Sequence, residues 1–487
     1  MVLLTKSKYM NGLKCDKLLW IIFNANHLIP DVTESAQFRF DVGNEVGEFA
    51  KKVFQNGIDL PTDFKINLQK TSESLSERKP LFEAGFMKEN LFSRIDILNP
   101  VNKDEWDIIE VKSTTSVKEE FIDDISFQKH TVTISGLKIR KCFLMHINNK
   151  YVKKGDINPK ELFTIVDLTE KVELKLKGIE KRIENMFKII SQPNIPIVQI
   201  GEHCRTPYEC PMIDECWGFL PDNSIFNLYN ARKKKLFQLV EDGNHSILDI
   251  PNDYKLTEKQ KIQINCEKDE KNHINKNKIK EFVDALEYPL YYLDFETINP
   301  AIPLHDGMRP YQRIPFQFSL HVVEKSGRQR HHEFLHDSKN DPRKTFLEKL
   351  KKYLGEKGNI IVYNQSFEIG VLKELAEAFP NYKEWNDLIT SRVVDLLKPF
   401  SEFYYYNPRQ KGSASIKKVL PALTNKSYAE LEIGDGNTAN IAYYNSIYGN
   451  LNQNEIEKIR KNLLIYCGQD TESMIWILDE LIKIAYA

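Results

Sequence analysis

The sequence lacks a strong net charge, a long hydrophobic run and an even set of cysteines. Its 487 residues include 68 lysines and arginines and 69 aspartates and glutamates, which gives a formal net charge of −1. No overall field therefore attracts nucleic acid, and any such binding must use local patches. The seven cysteines argue against a disulfide framework and fit a reducing compartment.

Segments that could cross a bilayer are also missing from the sequence. The longest apolar-rich run, residues 18–30, is too short to span a membrane. The first residues show no signal-peptide pattern. We therefore expect a cytoplasmic protein without membrane contact. An apolar content of 41% fits a globular fold, and the chain length predicts two to three domains.

The stretch Leu290-Tyr-Tyr-Leu-Asp-Phe-Glu-Thr-Ile298 is the most informative part of the C-terminal half. Its apolar and aromatic residues predict a buried strand. Asp294 and Glu296 are two positions apart, so their side chains point to the same face. Two buried carboxylates repel each other unless a cation lies between them, and Mg²⁺ or Mn²⁺ accepts such oxygen ligands. The alternative is an edge strand whose acidic residues face water.

Two later segments provide further carboxylates. Glu368 follows a β-rich run and lies near the start of a predicted helix. Tyr466 and Asp470 are four positions apart within a predicted helix over residues 455–484, so they share a helix face. With Asp294 and Glu296, these carboxylates suffice to hold two metal ions. Such ions would clamp the attacking and leaving oxygens of a phosphodiester, while the tyrosine orients the water.

This set of residues resembles the DEDD-type 3′–5′ exonucleases of the RNase H-like fold, in the subclass whose last motif is Tyr-x-x-x-Asp. The resemblance covers residues 284–487 and implies a metal-dependent exonuclease domain. The family usually has aspartate in the second motif, where this chain has Glu368 after Asn364. A longer side chain could still reach a metal ion through water. Asp395 is the reserve candidate, although a polar end to a core strand is the simpler interpretation.

A second group of chemically informative residues lies in the N-terminal half. Residues 92–98 and 106–112 read as two strands joined by a polar turn, which predicts a hairpin. Asp96 on the first strand and Glu110 with Lys112 on the second would then converge on one face. The carboxylates would bind a metal ion, and the lysine would position the attacking water and offset phosphate charge. The alternative is an exposed hairpin with a cross-strand ion pair.

These residues resemble the PD-(D/E)XK nucleases, with Asp96 followed by Glu110-Val-Lys112. Gln128, on a predicted helix over residues 122–131, follows as it does in the RecB-like branch of that superfamily. The resemblance implies a restriction-endonuclease-like α/β/α core over residues 1–220. It also implies that Asp96 and Glu110 hold the metal ion, with Lys112 and Gln128 as further catalytic residues.

The cysteines provide an independent check on this resemblance. Cys204, Cys210 and Cys216 lie close together, and Cys15 lies far upstream on a predicted helix over residues 13–23. Four thiolates are what a [4Fe–4S] cluster requires. One distant cysteine plus three at the end of the domain resembles the iron–sulfur RecB-like nucleases, including those of CRISPR adaptation. Zinc with His203 as a possible ligand is the competing interpretation, and free buried cysteines are the third.

Two polar segments bear on nucleic-acid binding. Residues 221–283 are rich in lysine and predict a helical connector, with a phosphate-backbone contact as the alternative. Residues 400–415 form an aromatic and basic loop. The loop would stack single-stranded bases at the entrance of the exonuclease site, unless its aromatic residues are buried.

The sequence thus predicts an α/β protein with a RecB-like nuclease domain and an RNase H-like 3′–5′ exonuclease domain. The whole chain resembles a bacterial family that joins these two domains, which implies DNA processing in repair or mobile-element defence. The expected cofactors are Mg²⁺ or Mn²⁺ at both sites, and single-stranded DNA is favoured over RNA. One alternative is an RNA-trimming exonuclease whose N-terminal half only binds nucleic acid. The other is a non-catalytic nucleic-acid-binding adaptor.

Overall fold

The computed structural model describes residues 2–487, which divide into two compact units. The first unit contains the residues up to Phe219 together with Pro300–Tyr311, and the second contains Leu220–Asn299 and Gln312–Ala487. Strands and helices build both units. The predicted α/β class with two domains is therefore confirmed. Among the described residues, none of the helices combines the length and the apolar character needed to span a bilayer.

The first unit is a mixed sheet with helices on both sides. Its strands are β1 (Leu4–Thr5), β2 (Ile58–Asp59), β3 (Leu81–Lys88), β4 (Leu91–Pro100), β5 (Glu105–Lys112), β6 (Lys138–Ile147) and β7 (Phe163–Asp167). Its helices are α1 (Lys6–Lys14), α2 (Asp16–Asn24), α3 (Glu34–Lys51), α4 (Phe64–Ser74), α5 (Glu119–Ile134), α6 (Pro159–Leu162), α7 (Thr169–Leu176), α8 (Ile179–Ile190) and α9 (Ile213–Trp217).

Alternation along the strands explains why helices cover both faces of this sheet. The strand order is β2–β3–β4–β5–β6–β7, with β1 parallel to β4. Ile108 points to one face and packs with Ile122 of α5, whereas Ile109 points to the other and packs with Val46 of α3. The predicted hairpin is present, because β4 and β5 pair antiparallel. Glu110 and Lys112 share the face of Ile108, towards α5.

The second unit is built around the predicted strand over residues 290–298. Its strands are β8 (His273–Ile274), β9 (Leu290–Ile298), β10 (Ile314–Val323), β11 (Gln329–Leu335), β12 (Ile360–Val362), β13 (Val393–Asp395) and β14 (Tyr405–Tyr406). Its helices are α10 (Lys233–Glu241), α11 (Glu258–Asp269), α12 (Lys276–Asp284), α13 (Arg343–Tyr353), α14 (Gln365–Ala378), α15 (Lys383–Thr390), α16 (Lys398–Ser401), α17 (Ile416–Leu423), α18 (Gly436–Tyr448) and α19 (Gln453–Tyr486).

The main sheet of this unit has the order β11–β10–β9–β12–β13, with β9 at its centre. Strand β10 is antiparallel to both of its neighbours, β11 and β9, whereas β12 runs parallel to both β9 and β13. Leu293 and Phe295 point into a core formed with α13 and α14. Helix α19 covers the opposite face, where Ser319 of β10 and Thr471 of α19 are joined by a 2.7 Å hydrogen bond.

The units differ from the predicted domain limits in two places. The predicted connector over residues 221–283 contains helices, as expected, but it groups with the second unit. Strand β8 of this segment pairs with β14, and Cys266 packs against Phe403, so tertiary contacts fix it in place. Residues 300–311 instead group with the first unit, because Ala301 and Ile302 join its hydrophobic core.

Candidate active sites

A group of three carboxylates lies on the face of β9 that α19 covers. Asp294 and Glu296 point to this face because Leu293 and Phe295 occupy the other one. Helix α19 brings Asp470 to the same place. One oxygen of each carboxylate lies within 4.8 Å of the other two. The structure therefore brings together three of the four acidic residues that the sequence motifs indicated for this half.

Burial dominates the electrostatics of this carboxylate group, and repulsion between the carboxylates adds to it. Burial is the main cause of the raised pKa of Asp294 and of Glu296, and the charge of Asp470 raises the pKa of both further. Burial also raises the pKa of Asp470 to about 6. Carboxylate oxygens are the ligands that Mg²⁺ and Mn²⁺ prefer, and a bound cation relieves such repulsion. The three residues therefore fit the expected ion.

Glu368 is a fourth buried carboxylate beside this group. It lies in the first turn of α14 and is 2% exposed. Burial, with a contribution from the charge of Asp395, raises its pKa to about 8. Its charge also raises the pKa of Asp294. Within the described residues its Oε2 has no hydrogen-bond partner, an unfavourable state that a proton or a cation would relieve.

Asp395, the reserve candidate for the second motif, accepts hydrogen bonds from backbone N–H groups with both of its carboxylate oxygens. Its Oδ1 accepts hydrogen bonds from the N–H groups of Asn364 and Leu397, both at 2.9 Å. Its Oδ2 accepts from the N–H of Gln365 at 3.1 Å. These bonds fix the start of α14 and so the position of Glu368. The simpler interpretation, a polar end to a core strand, is supported by these contacts.

Tyr466 is buried one helical turn from Asp470, and two residues that the motifs missed join them. The hydroxyl of Tyr428, between α17 and α18, donates a 2.6 Å hydrogen bond to Asp470 Oδ1. The Nζ atom of Lys417 lies 5.6 Å from the ring centroid of Tyr466 and 5.8 Å from that of Tyr428. Lys417 also lowers the pKa of Asp470 and opposes the rise in the pKa of Glu296. No spacing in the sequence indicated Tyr428 or Lys417.

The motif residues of the first unit converge at the edge of the predicted hairpin. Asp96 directly precedes Ile97, the first residue of β4 that pairs with β5. Its Oδ2 accepts a 2.8 Å hydrogen bond from the backbone N–H of Val111. Glu110 and Lys112 project from β5 towards α5, and Lys112 Nζ lies 2.6 Å from Glu110 Oε1. The structure therefore brings Asp96, Glu110 and Lys112 together.

Helix α5 adds two side chains to this site. Gln128 Nε2 donates hydrogen bonds of 2.7 Å to Glu110 Oε2 and of 2.9 Å to Asp124 Oδ1. Asp124 Oδ2 accepts a further bond of 2.8 Å from Lys112 Nζ. In the described part of the chain, Gln128 Oε1 is buried without a partner. The spacing of four between Asp124 and Gln128 was the signal that could have identified Asp124.

Lys6 is the least expected member of this second site. Its Nζ lies 2.9 Å from Glu110 Oε1, 3.7 Å from Asp124 Oδ1 and 4.0 Å from Asp96 Oδ1. It precedes Glu110 by 104 positions, so no local pattern connects the two residues. Lys6 and Lys112 thus place two ammonium groups among the carboxylates.

The two ammonium groups change the electrostatics of this site. Burial acts to raise the pKa of Glu110, but the charges of Lys112 and Lys6 outweigh it and hold this pKa well below its usual range. Burial and the charge of Glu110 raise the pKa of Asp96 to about 7. The carboxyl and amide oxygens fit a hard divalent ion. In contrast to the carboxylates of the second unit, Glu110 and Asp124 are already paired with lysines.

All four predicted cluster ligands line one cavity. Cys15, Cys204, Cys210 and Cys216 contribute to the walls of one small, partly open cavity, together with His203. The cysteines are free thiols, and Cys204 Sγ lies 3.6 Å from His203 Nε2. Thiol donors suit both an iron–sulfur cluster and zinc, and the imidazole beside them suits zinc. The residues therefore fit either group.

The prediction that the loop over residues 400–415 stacks nucleotide bases is wrong for most of its aromatic residues. Phe403, Tyr405 and Tyr406 are buried. Phe403 and Tyr406 stack on each other at 4.8 Å and pack against Cys266. Their apolar surface is therefore used for packing against the Lys-rich helical segment and is not available to nucleotide bases.

Comparisons with known proteins give relatives but no activity. Residues 291–415 match the model of a domain of unknown function, DUF2779. This range includes Asp294, Glu296 and Glu368, and it ends before α17 and α19. The match therefore covers the two carboxylates of β9 and the one of α14, whereas Asp470 of α19 lies beyond it.

Similar proteins occur in Ureaplasma and Mycoplasma species. Uncharacterized protein UU173 of Ureaplasma parvum serovar 3 is 29% identical over 218 residues, which are 38% of this chain and 30% of that protein. Uncharacterized protein MG366 of Mycoplasma genitalium is 29% identical over 234 residues, 42% of this chain and 34% of that protein. Its homolog in Mycoplasma pneumoniae is 26% identical over 221 residues, 41% of this chain and 33% of that protein. The match spans about a third of these relatives.

Proposed function

We propose that this protein is a metal-dependent nuclease that hydrolyses phosphodiester bonds of nucleic acid, with single-stranded DNA ends as the favoured substrate. The observation that carries the proposal is the carboxylate group of the second unit. Asp294, Glu296 and Asp470 offer oxygens within 4.8 Å of one another, and burial is the main cause of their raised pKa values. Perturbed carboxylates that converge in this way are typical of functional sites.

The residues around this group have distinct roles in the proposal. Asp294, Glu296 and Asp470 hold Mg²⁺ or Mn²⁺, and Glu368 is the fourth donor. A bound ion of this kind stabilises charge on the phosphate and lowers the pKa of water. Tyr466 orients the water, and Tyr428 fixes the rotamer of Asp470 through its 2.6 Å hydrogen bond. Lys417 offsets negative charge beside the two tyrosine rings.

We further propose the first unit as a second, RecB-like nuclease site. Asp96 and Glu110 would hold the metal ion, and Gln128 would orient Glu110. Lys112 would offset phosphate charge. The four cysteines would hold a [4Fe–4S] cluster, or zinc together with His203, with a structural role. The supporting observation is that one cavity joins Cys15 on the first helices to cysteines nearly 190 positions later.

The biological role of the nuclease is also part of the proposal. A cytoplasmic nuclease with these two sites would act in DNA repair or in defence against mobile elements. In the RNA-trimming alternative the second unit shortens RNA and the first unit only binds nucleic acid. The same assay with RNA, repeated with Lys112→Ala, distinguishes it. The adaptor alternative predicts binding without product. The raised pKa values of the carboxylates favour a metal-binding catalyst over that adaptor.

Cleavage of end-labelled single strands tests the proposal. With Mn²⁺, the wild-type protein should shorten labelled DNA stepwise, and Asp294→Asn should abolish this product. Asp479→Asn is a matched control, because Asp479 lies on the same helix as Asp470 but faces solvent. If Asp294→Asn cleaves normally while Lys112→Ala does not, activity belongs to the first unit and the assignment of the second is wrong.

A further inference from the structure

The site of the first unit contains a cation that its nuclease motif does not include. Lys6 Nζ lies 2.9 Å from Glu110 Oε1, and Lys112 Nζ lies 2.6 Å from the same oxygen. Lys6 also lies within 4.0 Å of Asp96 and of Asp124. Its ammonium group is therefore close to all three carboxylates, which is where a divalent ion bound by these oxygens would have to lie.

Strand pairing and packing hold the backbone around Lys6 in place. The contact between Lys6 and Glu110 therefore belongs to the folded core of the first unit. Strand β1 pairs with β4, and the N–H of Leu4 donates a 2.8 Å hydrogen bond to the carbonyl of Asn90. Tyr9, one turn along α1, is fully buried and stacks on Phe127 of α5 at 4.6 Å. The side chain of Lys6 is 22% exposed. Lys6 is thus held over the helix that carries Asp124 and Gln128.

Gln128 provides a second, independent indication of a ligand at this place. Its Nε2 is bonded to Glu110 and Asp124, which fixes the amide within the site. Its Oε1 is fully buried and, in the described chain, has no donor. A buried acceptor without a donor is unfavourable unless a cation or water satisfies it. A cation or a water molecule bound beside this amide would satisfy its oxygen.

We propose that Lys6 is an internal counter-cation of this site, which a divalent ion must displace from Glu110. Lys6 is therefore a positioning residue that acts through Glu110 and weakens metal binding at the first unit. The inference rests on the proposed nuclease function of this unit. It also distinguishes the two units. Among the described residues, Lys417 acts on the carboxylates of the second unit without forming an ion pair with them, so these carboxylates bind the ion at lower concentration.

Calorimetric titration of the full chain with Mn²⁺ tests this proposal. Asp294→Asn and Glu296→Gln together silence the second unit and define the parent protein. In this background Lys6→Met should tighten Mn²⁺ binding by about tenfold or more, because an ammonium no longer competes for the same oxygens. Lys6→Arg keeps the charge and should leave the affinity unchanged. Lys8→Met, on the same helix, is the second control.

The possible results of the titration test the role of Lys6 and the metal site of the first unit separately. Addition of Glu110→Gln to Lys6→Met should remove the tightened binding, which locates it in this site. If Mn²⁺ binds the parent protein and Lys6→Met equally, and Glu110→Gln removes it, the role of Lys6 is overturned while the metal site stands. If no variant shows binding that depends on Glu110, both the role of Lys6 and the nuclease site of the first unit are rejected. Lys6→Gln replaces Lys6→Met if thermal melting shows that the latter does not fold.

Discussion

Tyr428 donates a 2.6 Å hydrogen bond to Oδ1 of Asp470, and both side chains are buried. The bond opposes the rise in the pKa of Asp470 that burial causes. A side-chain hydrogen bond from Tyr466 acts in the same direction on this pKa. A residue outside the nuclease motifs thus sets both the rotamer and the charge of the carboxylate on α19.

We expect Tyr428→Phe to weaken Mn²⁺ binding at the second unit by about tenfold, since a buried hydrogen bond to a charged group contributes roughly 1.5–3 kcal/mol. Removal of the donor should raise the pKa of Asp470 further. The acidic limb of the pH–rate profile should therefore shift to higher pH. Tyr404→Phe is the control, and an unchanged profile in Tyr428→Phe would show that the bond has no role in the site.

The metal-free protein should lose stability as the pH rises from about 5 to 8.5. Burial raises the pKa of Glu368 to about 8 in the folded state, so the folded protein binds more protons than the unfolded protein across this window. Stability is therefore greatest below the unfolded pKa and is lost as pH rises through the folded pKa. Thermal melting without metal measures this loss.

Glu368→Gln should reduce the pH dependence of the melting temperature, because the neutral amide has no proton to lose. Added Mn²⁺ should restore stability at pH 8.5 in the wild-type protein, since ligand binding stabilises the folded state. Glu377→Gln, on the same helix, is the control. An identical slope in Glu368→Gln and wild type would mean that Glu368 does not titrate in this window.

Asp395→Ala should lower stability by roughly 1–3 kcal/mol, because three backbone N–H groups lose their acceptor. Mn²⁺ affinity per folded molecule should change much less than in Asp294→Asn. Urea unfolding and calorimetric titration separate the two effects. A variant that folds with normal stability but binds no Mn²⁺ would instead make Asp395 a metal ligand.

The cysteine cavity should hold iron and sulfide in protein purified without oxygen, and the preparation should be brown. Cys204→Ser should lose this iron, whereas Cys142→Ser should keep it, because Cys142 is buried in the core of the first unit and does not line the cavity. Metal analysis decides the outcome. Zinc in a colourless protein would favour the His203 alternative, and protein without either metal would leave four free thiols.

Local pattern was enough to predict the central strand and the last helix. The apolar run before Asp294 predicted a strand of about five to six residues, and the observed β9 is longer, over Leu290–Ile298. The helix predicted over residues 455–484 is observed as Gln453–Tyr486. In contrast, the single helix predicted over residues 13–23 is two helices. Cys15 is extended between them, with φ −162° and ψ 124°, so it ends one helix and begins the next.

Local sequence patterns could not predict contacts between residues that meet only in the tertiary fold. Lys6 reaches Glu110 because β1 pairs with β4, and Tyr428 reaches Asp470 from a segment without regular periodicity. The aromatic loop over residues 400–415 was misleading for a related reason. Phe403 and Tyr406 pack against a segment more than 120 positions upstream, which composition alone does not reveal.

Anomalous diffraction from crystals soaked in Mn²⁺ tests the central claim most directly, because it locates the ion itself. The account predicts an anomalous peak bounded by carboxylate oxygens of Asp294, Glu296 and Asp470, and its loss in crystals of Asp294→Asn. Well-ordered crystals at saturating Mn²⁺ with no peak between these three residues would contradict it.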